Sequence, residues 1–314
     1  MPRAGSPQLP PGGAVPPAPM NIGEAADPPF AVLPDPASLF GRRAARFAEL
    51  APEHPLEAYL RFLASVAGAQ RDCLDGLPEP VLPPPVELER AYTHSMPPVP
   101  FGRFEADAVF DATLTAFLDR LAVADGLPQA SRDAIEGLRA ADADARRAMA
   151  DAVLVGSIPE DAVAPHVLMA AALQVHFTRA AARLDASRLT PVADAACPSC
   201  GSGPVASMIV GWPGAHGTRF CACSMCGTLW NVVRIKCLLC GGVDGIAYHT
   251  IEGAPDVVKA ETCEQCHGYV KILHQHKDTR LESVADDVGS LGLDLLLAEE
   301  DWVRGGANPF LTGY

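Results

Sequence analysis

Eight cysteines arranged as four C-x-x-C pairs constrain this chain more than any other feature. Cys197-Pro-Ser-Cys200 and Cys223-Ser-Met-Cys226 are the first two pairs, Cys237-Leu-Leu-Cys240 and Cys263-Glu-Gln-Cys266 the next two. Each cysteine of the first half recurs forty residues later: 197 with 237, 200 with 240, 223 with 263, 226 with 266. Gly201 matches Gly241, and Val232-Val233 match Ile272-Leu273, at the same offset. A fixed period of this kind marks a duplicated structural unit.

A C-x-x-C-G turn aims two thiolates at one point, and its glycine adopts the backbone conformation that brings N–H groups toward the sulfurs. Two such turns complete a tetrahedral S₄ set, which suits Zn²⁺ or a single rubredoxin-like iron. The repeat pairs 197/200 with 223/226 and 237/240 with 263/266, so two metal ions are expected. A unit of forty residues has little core of its own, and the ion must supply much of its folding energy. Four filled protein positions argue for closed, structural sites rather than open catalytic zinc. An iron–sulfur cluster also uses four thiolates, and spacing alone leaves it open. The fourth turn differs from the rest, with His267 where the others have glycine and Gly268 one place later.

Two cysteines stand outside the repeat. Cys73 reads as a small buried apolar residue. Cys221 reads as a bystander thiol, with the alternative of a ligand beside Cys223. His267, His274 and His276 read as a solvated face, and His166 and His176 as core or boundary residues.

Around the cysteines the chain changes texture several times. Residues 1–36 contain eleven prolines and few aromatics, the composition of a disordered tail. Residues 37–190 carry helical periodicity. Leu56, Tyr59, Leu60 and Leu63 form one stripe, with Pro55 at the helix start, and Phe110, Leu114, Phe117, Leu118 and Leu121 form a second. Ser131 with Ile135 and Leu138 opens a third helix, and an Ala-rich helix runs from Glu160 to Leu184, while proline-rich 78–100 reads as a loop. Residues 191–280 hold short β-prone runs, Val205–Val210, Leu229–Ile235 and Tyr269–Leu273, between glycines and prolines. Residues 281–314 return to a helix, on which Val284, Val288, Leu291, Leu295 and Leu296 share a face, and end in a tail. The expected fold class is α+β and multidomain: an N-terminal all-α helical bundle, then tandem rubredoxin-like or zinc-ribbon metal modules, then a C-terminal helix.

Composition narrows the function classes. The 314 residues are 49% apolar and 20% charged, enough for a proper core, and the net charge is −14. From Asp194 to Tyr314 there are eight Lys and Arg against fourteen Asp and Glu, which counts against a zinc-ribbon nucleic-acid module. No run of eighteen apolar residues and no secretory h-region is present, so a cytoplasmic protein without membrane insertion is expected, in which cysteines serve metals rather than disulfides. No nucleophile–base set suggests an enzyme.

The four knuckles in order, together with Trp230-Asn231-Val232-Val233-Arg234-Ile235-Lys236-Cys237 and Lys259-Ala260-Glu261-Thr262-Cys263, resemble the formate dehydrogenase accessory protein family, FdhE. Tyr269-Val270-Lys271-Ile272-Leu273, Ala285-Asp286-Asp287, Leu293-Asp294 and Asn308-Pro309-Phe310 carry the likeness onward, and Leu39-Phe40, Arg42-Arg43-Ala44 and Tyr59-Leu60-Arg61-Phe62 carry it more loosely. The resemblance spans about residues 33–311. It implies a cytoplasmic maturation factor that contacts the catalytic subunit of a formate dehydrogenase before export, with iron as the usual assignment at the C-x-x-C motifs. A rubredoxin-like electron-transfer protein is the alternative, and pairing into a homodimer is left open.

Overall fold

The computed structural model describes residues 27–311, so the first 26 residues of the proline-rich segment lie outside it. Among the described residues, seven α-helices build the N-terminal half: α1 Pro36–Leu50, α2 Glu57–Asp72, α3 Pro85–Thr93, α4 Ala108–Ala122, α5 Gln129–Ala140, α6 Ala143–Val155 and α7 Val163–Ala181. Their ends follow local chemistry. The Asp35 carboxylate accepts the Ser38 N–H at 2.8 Å to open α1, and Asp107 and Asp142 cap α4 and α6 in the same way. Gly156, at φ 70°, closes α6. Helix α7 buries every residue from His166 to Val175, so it forms the axis around which the others pack.

Three local readings change. Pro55 precedes the Leu56 N-cap of α2 instead of standing in its first turn. The segment 78–100 contains α3, which starts on Pro85, because a proline at the first helical position sacrifices no hydrogen bond. The C-terminal helix is two helices, α8 Ser283–Gly289 and α9 Leu291–Ala298. Between them Ser290 turns its hydroxyl back to the Asp286 carbonyl at 2.7 Å. No single helix among the described residues is long and apolar enough to cross a membrane.

Eight strands of the described residues form one sheet: β1 Ala31–Val32, β2 Pro204–Ile209, β3 Arg219–Cys223, β4 Leu229–Val232, β5 Ile246–His249, β6 Val258–Cys263, β7 Gly268–Leu273 and β8 Val303–Arg304. The order is β1-β4-β3-β2-β7-β6-β5, with β8 added beside β7. Each repeat therefore contributes an antiparallel meander, β2-β3-β4 and β5-β6-β7. The meanders join head to tail. Parallel pairing of β2 with β7 sets Ser207 opposite Ile272 and Met208 opposite Leu273. On the first meander the place equivalent to that junction is taken by β1, with Ala31 opposite Trp230. Strand β4 stops at Val232, and Val233 and Ile235 beyond it are exposed.

The main apolar core runs continuously from the helices into the first meander, where it includes Val205, Phe220, Trp230 and all four cysteines of the first set. The second meander and α9 add a small core of Ala260, Tyr269, Leu293 and Leu297. Buried charges tie these parts together. Arg46 grips Asp286 in a bidentate pair at 2.6 and 3.0 Å, and Arg43 reaches Glu282 at 3.1 Å, so α8 docks on α1. Lys271 lies between Asp287 and Asp294, and Arg304 bonds both carboxylates from the opposite side. Such pairs confer geometry more than net stability, because desolvation offsets much of their attraction.

Candidate metal centres

The four knuckles have one shape. Cys197 donates its N–H to the Ser202 carbonyl at 2.9 Å and accepts the Gly201 N–H at its own carbonyl at 2.8 Å. Cys237 makes the same two bonds with Gly242 and Gly241, Cys223 donates to Thr228, and His267 donates to Cys263. The residue after the second cysteine is left-handed in every case: Gly201 at φ 81°, Gly227 at 72°, Gly241 at 76° and His267 at 55°. The fourth knuckle thus keeps the conformation without the glycine.

These turns gather the sulfurs into two quartets, Cys197/Cys200/Cys223/Cys226 and Cys237/Cys240/Cys263/Cys266, each with all four Sγ atoms within 4.8 Å of one another. Cross-knuckle distances are 3.4 and 3.6 Å in the first set and 3.7 Å twice in the second. A tetrahedral ion with arms of about 2.3 Å requires sulfur–sulfur edges of about 3.8 Å. Disulfides would need about 2.05 Å, and all ten cysteines are free. The donor set and spacing fit one tetrahedral thiolate-bound ion per quartet, and zinc and iron share that geometry. Backbone N–H groups face the sulfurs as such a centre requires. Met225 and Cys226 donate to Cys223 at 3.4 and 3.3 Å, and the Gly242 N–H holds the Cys240 thiol below its ordinary pKa.

The two remaining cysteines are placed elsewhere. Cys73 ends α2 with its thiol on the Gln70 carbonyl at 3.3 Å, and Cys221 lies inside β3 between Ser207 and Trp230. Burial pushes both thiols up to about 12, the reverse of what a reactive cysteine needs. Among the histidines, His176 is enclosed by the rings of Phe104, Phe110 and Phe177, and His166 bonds the Ala162 carbonyl at 2.6 Å. His274 and His276 lie edge to face beyond β7, but both His274 ring nitrogens are buried and burial lowers its pKa to about 4, so it is not part of a solvated face; His267 stacks on Trp302.

The quartets differ in their surroundings. The first is enclosed by the helical half: Val99 and Phe101 donate N–H groups to the Ser199 and Cys200 carbonyls at 3.0 and 2.9 Å. Gln174 of α7 donates to the Ser224 carbonyl at 2.7 Å, and a Cβ on Gly227 would lie 2.5 Å from Leu39 of α1. These contacts come from segments far apart in sequence, and no spacing rule foretells them. Among the described residues, none of the second quartet's cysteines joins the main core, although Leu238 between Cys237 and Cys240 does.

Three family models, the FdhE N-terminal, central and C-terminal domains, match residues 28–194, 196–234 and 235–311. The chain belongs to the FdhE family. An FdhE homolog of Rhizobium meliloti is 41% identical over 96% of this chain and 98% of its own. One from Stutzerimonas stutzeri is 37% identical over 92% and 94%. The crystal structure of the FdhE protein from Pseudomonas aeruginosa superposes with a TM-score of 0.79 at 33% identity, covering 91% of this chain and 99% of that one. The boundary between the central and C-terminal FdhE models falls between the two repeats, so each quartet lies within one model.

Proposed function

We propose that the chain is a cytoplasmic, non-enzymatic maturation factor for a formate dehydrogenase, which it meets as a folding or folded catalytic subunit before export. Membership of the FdhE family carries this reading. Two closed thiolate quartets and the absence of a nucleophile–base pair in the sequence agree with a protein that binds rather than converts. Each quartet, Cys197/Cys200/Cys223/Cys226 and Cys237/Cys240/Cys263/Cys266, holds one ion, zinc or iron, whose ligation stabilises its meander. The acidic balance speaks for a protein partner over nucleic acid.

The test is capture of partners on the tagged full chain under reducing, anaerobic conditions, with metal analysis of the same sample. A formate dehydrogenase catalytic subunit should co-purify, and deletion of the gene should lower formate dehydrogenase activity in its host. Normal activity together with no captured subunit would overturn the reading. A second reading, a rubredoxin-like electron carrier, is favoured by the exposure of one sulfur-bearing residue, Cys240. It requires a coloured iron centre that cycles between two oxidation states, and a colourless zinc protein rules it out.

A further inference from the structure

The first and second quartets share a sequence pattern and a knuckle geometry and differ in how deeply they are buried. Cys197, Cys200, Cys223 and Cys226 are all buried, and all four belong to the main apolar core. Of the second set, Cys237 and Cys263 are buried, Cys266 is half-buried and Cys240 is exposed. None of these four joins either apolar core. Two exposed side chains lie beside them: Leu239, whose methyl groups come within 2.4 Å of where a Cβ on Gly268 or Gly305 would stand, and Gln265, whose Oε1 comes within 2.0 Å of where one on Gly242 would stand. Val303, whose N–H bonds the His267 carbonyl, and Val243, three residues past Cys240, present apolar surface to solvent at 63% and 61% exposure.

Exchange of a thiolate-bound ion begins when one sulfur is replaced by an incoming ligand, so the rate depends on whether a ligand can reach the bond. At the first quartet that approach requires parting Leu39, the Val99–Phe101 segment and α7, which is an opening of the main core. At the second, Cys240 is exposed and Cys266 half-buried, so no opening of the main core is needed.

We propose that the two ions have separate roles: the first is a permanent structural rivet, and the second is an exchangeable ion that Cys240 and Cys266 release to, and recover from, a thiol-bearing acceptor. In each substitution an incoming thiol binds as the thiolate and gives up its proton, while the departing cysteine sulfur takes one up, and no electron moves. The acceptor class is a soft, thiol-presenting ligand, small or on a protein surface, that approaches at the exposed Cys240. This inference rests on the reading that each quartet holds one ion, and it is independent of the formate dehydrogenase partner.

The experiment uses the purified, reduced, full-length chain loaded with Zn²⁺, with native mass spectrometry giving the starting ion count. Excess pyridylazoresorcinol is added and zinc transfer is followed by absorbance, while aliquots are alkylated with iodoacetamide and mapped by peptide mass. Two phases are expected, one ion leaving at least about ten-fold faster than the other. Cys240 and Cys266 should be labelled within the fast phase, and Cys197, Cys200, Cys223 and Cys226 only in the slow one. A chain that starts with two ions and loses them at one rate would overturn the exchange proposal and leave the partner reading intact. Labelling of the first quartet in the fast phase would overturn it equally. A starting count below two would instead refute the two-ion reading on which it rests.

Discussion

His267 stacks on Trp302, with ring centroids 4.3 Å apart and planes inclined by 21°, while its own backbone sits at φ 55°. The fourth knuckle therefore holds a left-handed non-glycine residue, at a cost of about 1–2 kcal/mol, against an aromatic contact worth about 0.5–1.5 kcal/mol. His267→Gly should consequently change stability by less than about 1 kcal/mol. His267→Val, which has the strain and loses the stack, should destabilise by about 2 kcal/mol or more and loosen the second quartet. Urea unfolding of the two variants, with the ion count of each, checks the pair.

Arg219 and Glu261 make the charged link between the repeats. The Arg219 guanidinium, fully buried on β3, reaches across β2 and β7 to both Glu261 oxygens on β6 at 2.8 and 3.0 Å, with Ser207 at 3.1 Å on the way. Arg219→Met leaves the buried Glu261 carboxylate with no charged partner, only the Tyr248 hydroxyl at 3.0 Å, and should cost about 3–5 kcal/mol. Removing Glu261 as well, in Arg219→Met/Glu261→Leu, should recover a large part of that loss. A double variant as unstable as the sum of its singles would show that the two residues act independently.

Acid should weaken the helical half through His176. Burial among Phe104, Phe110 and Phe177, with Arg179 adding to it and Asp107 opposing, lowers its pKa from 6.5 to about 4. The unfolded chain protonates first, so stability falls as pH drops from about 6.5 to about 4 and levels off below. The loss is roughly 3 kcal/mol. In His176→Leu this component should vanish, read as a smaller drop in urea midpoint between pH 7 and pH 4.5 than the parent shows.

Cysteine substitutions should sort by environment. Replacing Cys197, Cys200, Cys223 or Cys226 by Ser opens a quartet inside the main core. Ligation at such sites is worth ~10–16 kcal/mol, comparable with the stability of a whole domain, so these variants should not accumulate as folded protein. Serine at Cys237, Cys240, Cys263 or Cys266 should loosen the second meander and leave α1 to α7 resistant to limited proteolysis. Cys221→Ser keeps both ions but places a hydroxyl in a fully buried strand, costing about 1–3 kcal/mol. Cys73→Ser should cost about 1 kcal/mol. Loss of an ion from Cys221→Ser with both retained in Cys223→Ser would contradict the grouping of the sulfurs.

Much of this protein follows from interactions that reach only a few residues. A C-x-x-C turn and its following glycine are set by bonds within six residues, which is why the cysteine quartets can be read from spacing and from a forty-residue repeat. The stripes on α2 and α4 and the buried axis of α7 are legible for the same reason, since helical periodicity is local. What spacing could not carry is how the copies join. The parallel β2–β7 junction, the seating of Ala31–Val32 on β4 and the break at Ser290 come from long-range pairing, and no residue type announces its distant partner. The charge links Arg46–Asp286 and Arg219–Glu261 are invisible in a composition that registers only their net sum. The difference between the quartets belongs to the same class. Two identical ligand patterns became one enclosed centre and one open centre because the helical half packs against the first repeat and leaves the second at the edge of the sheet.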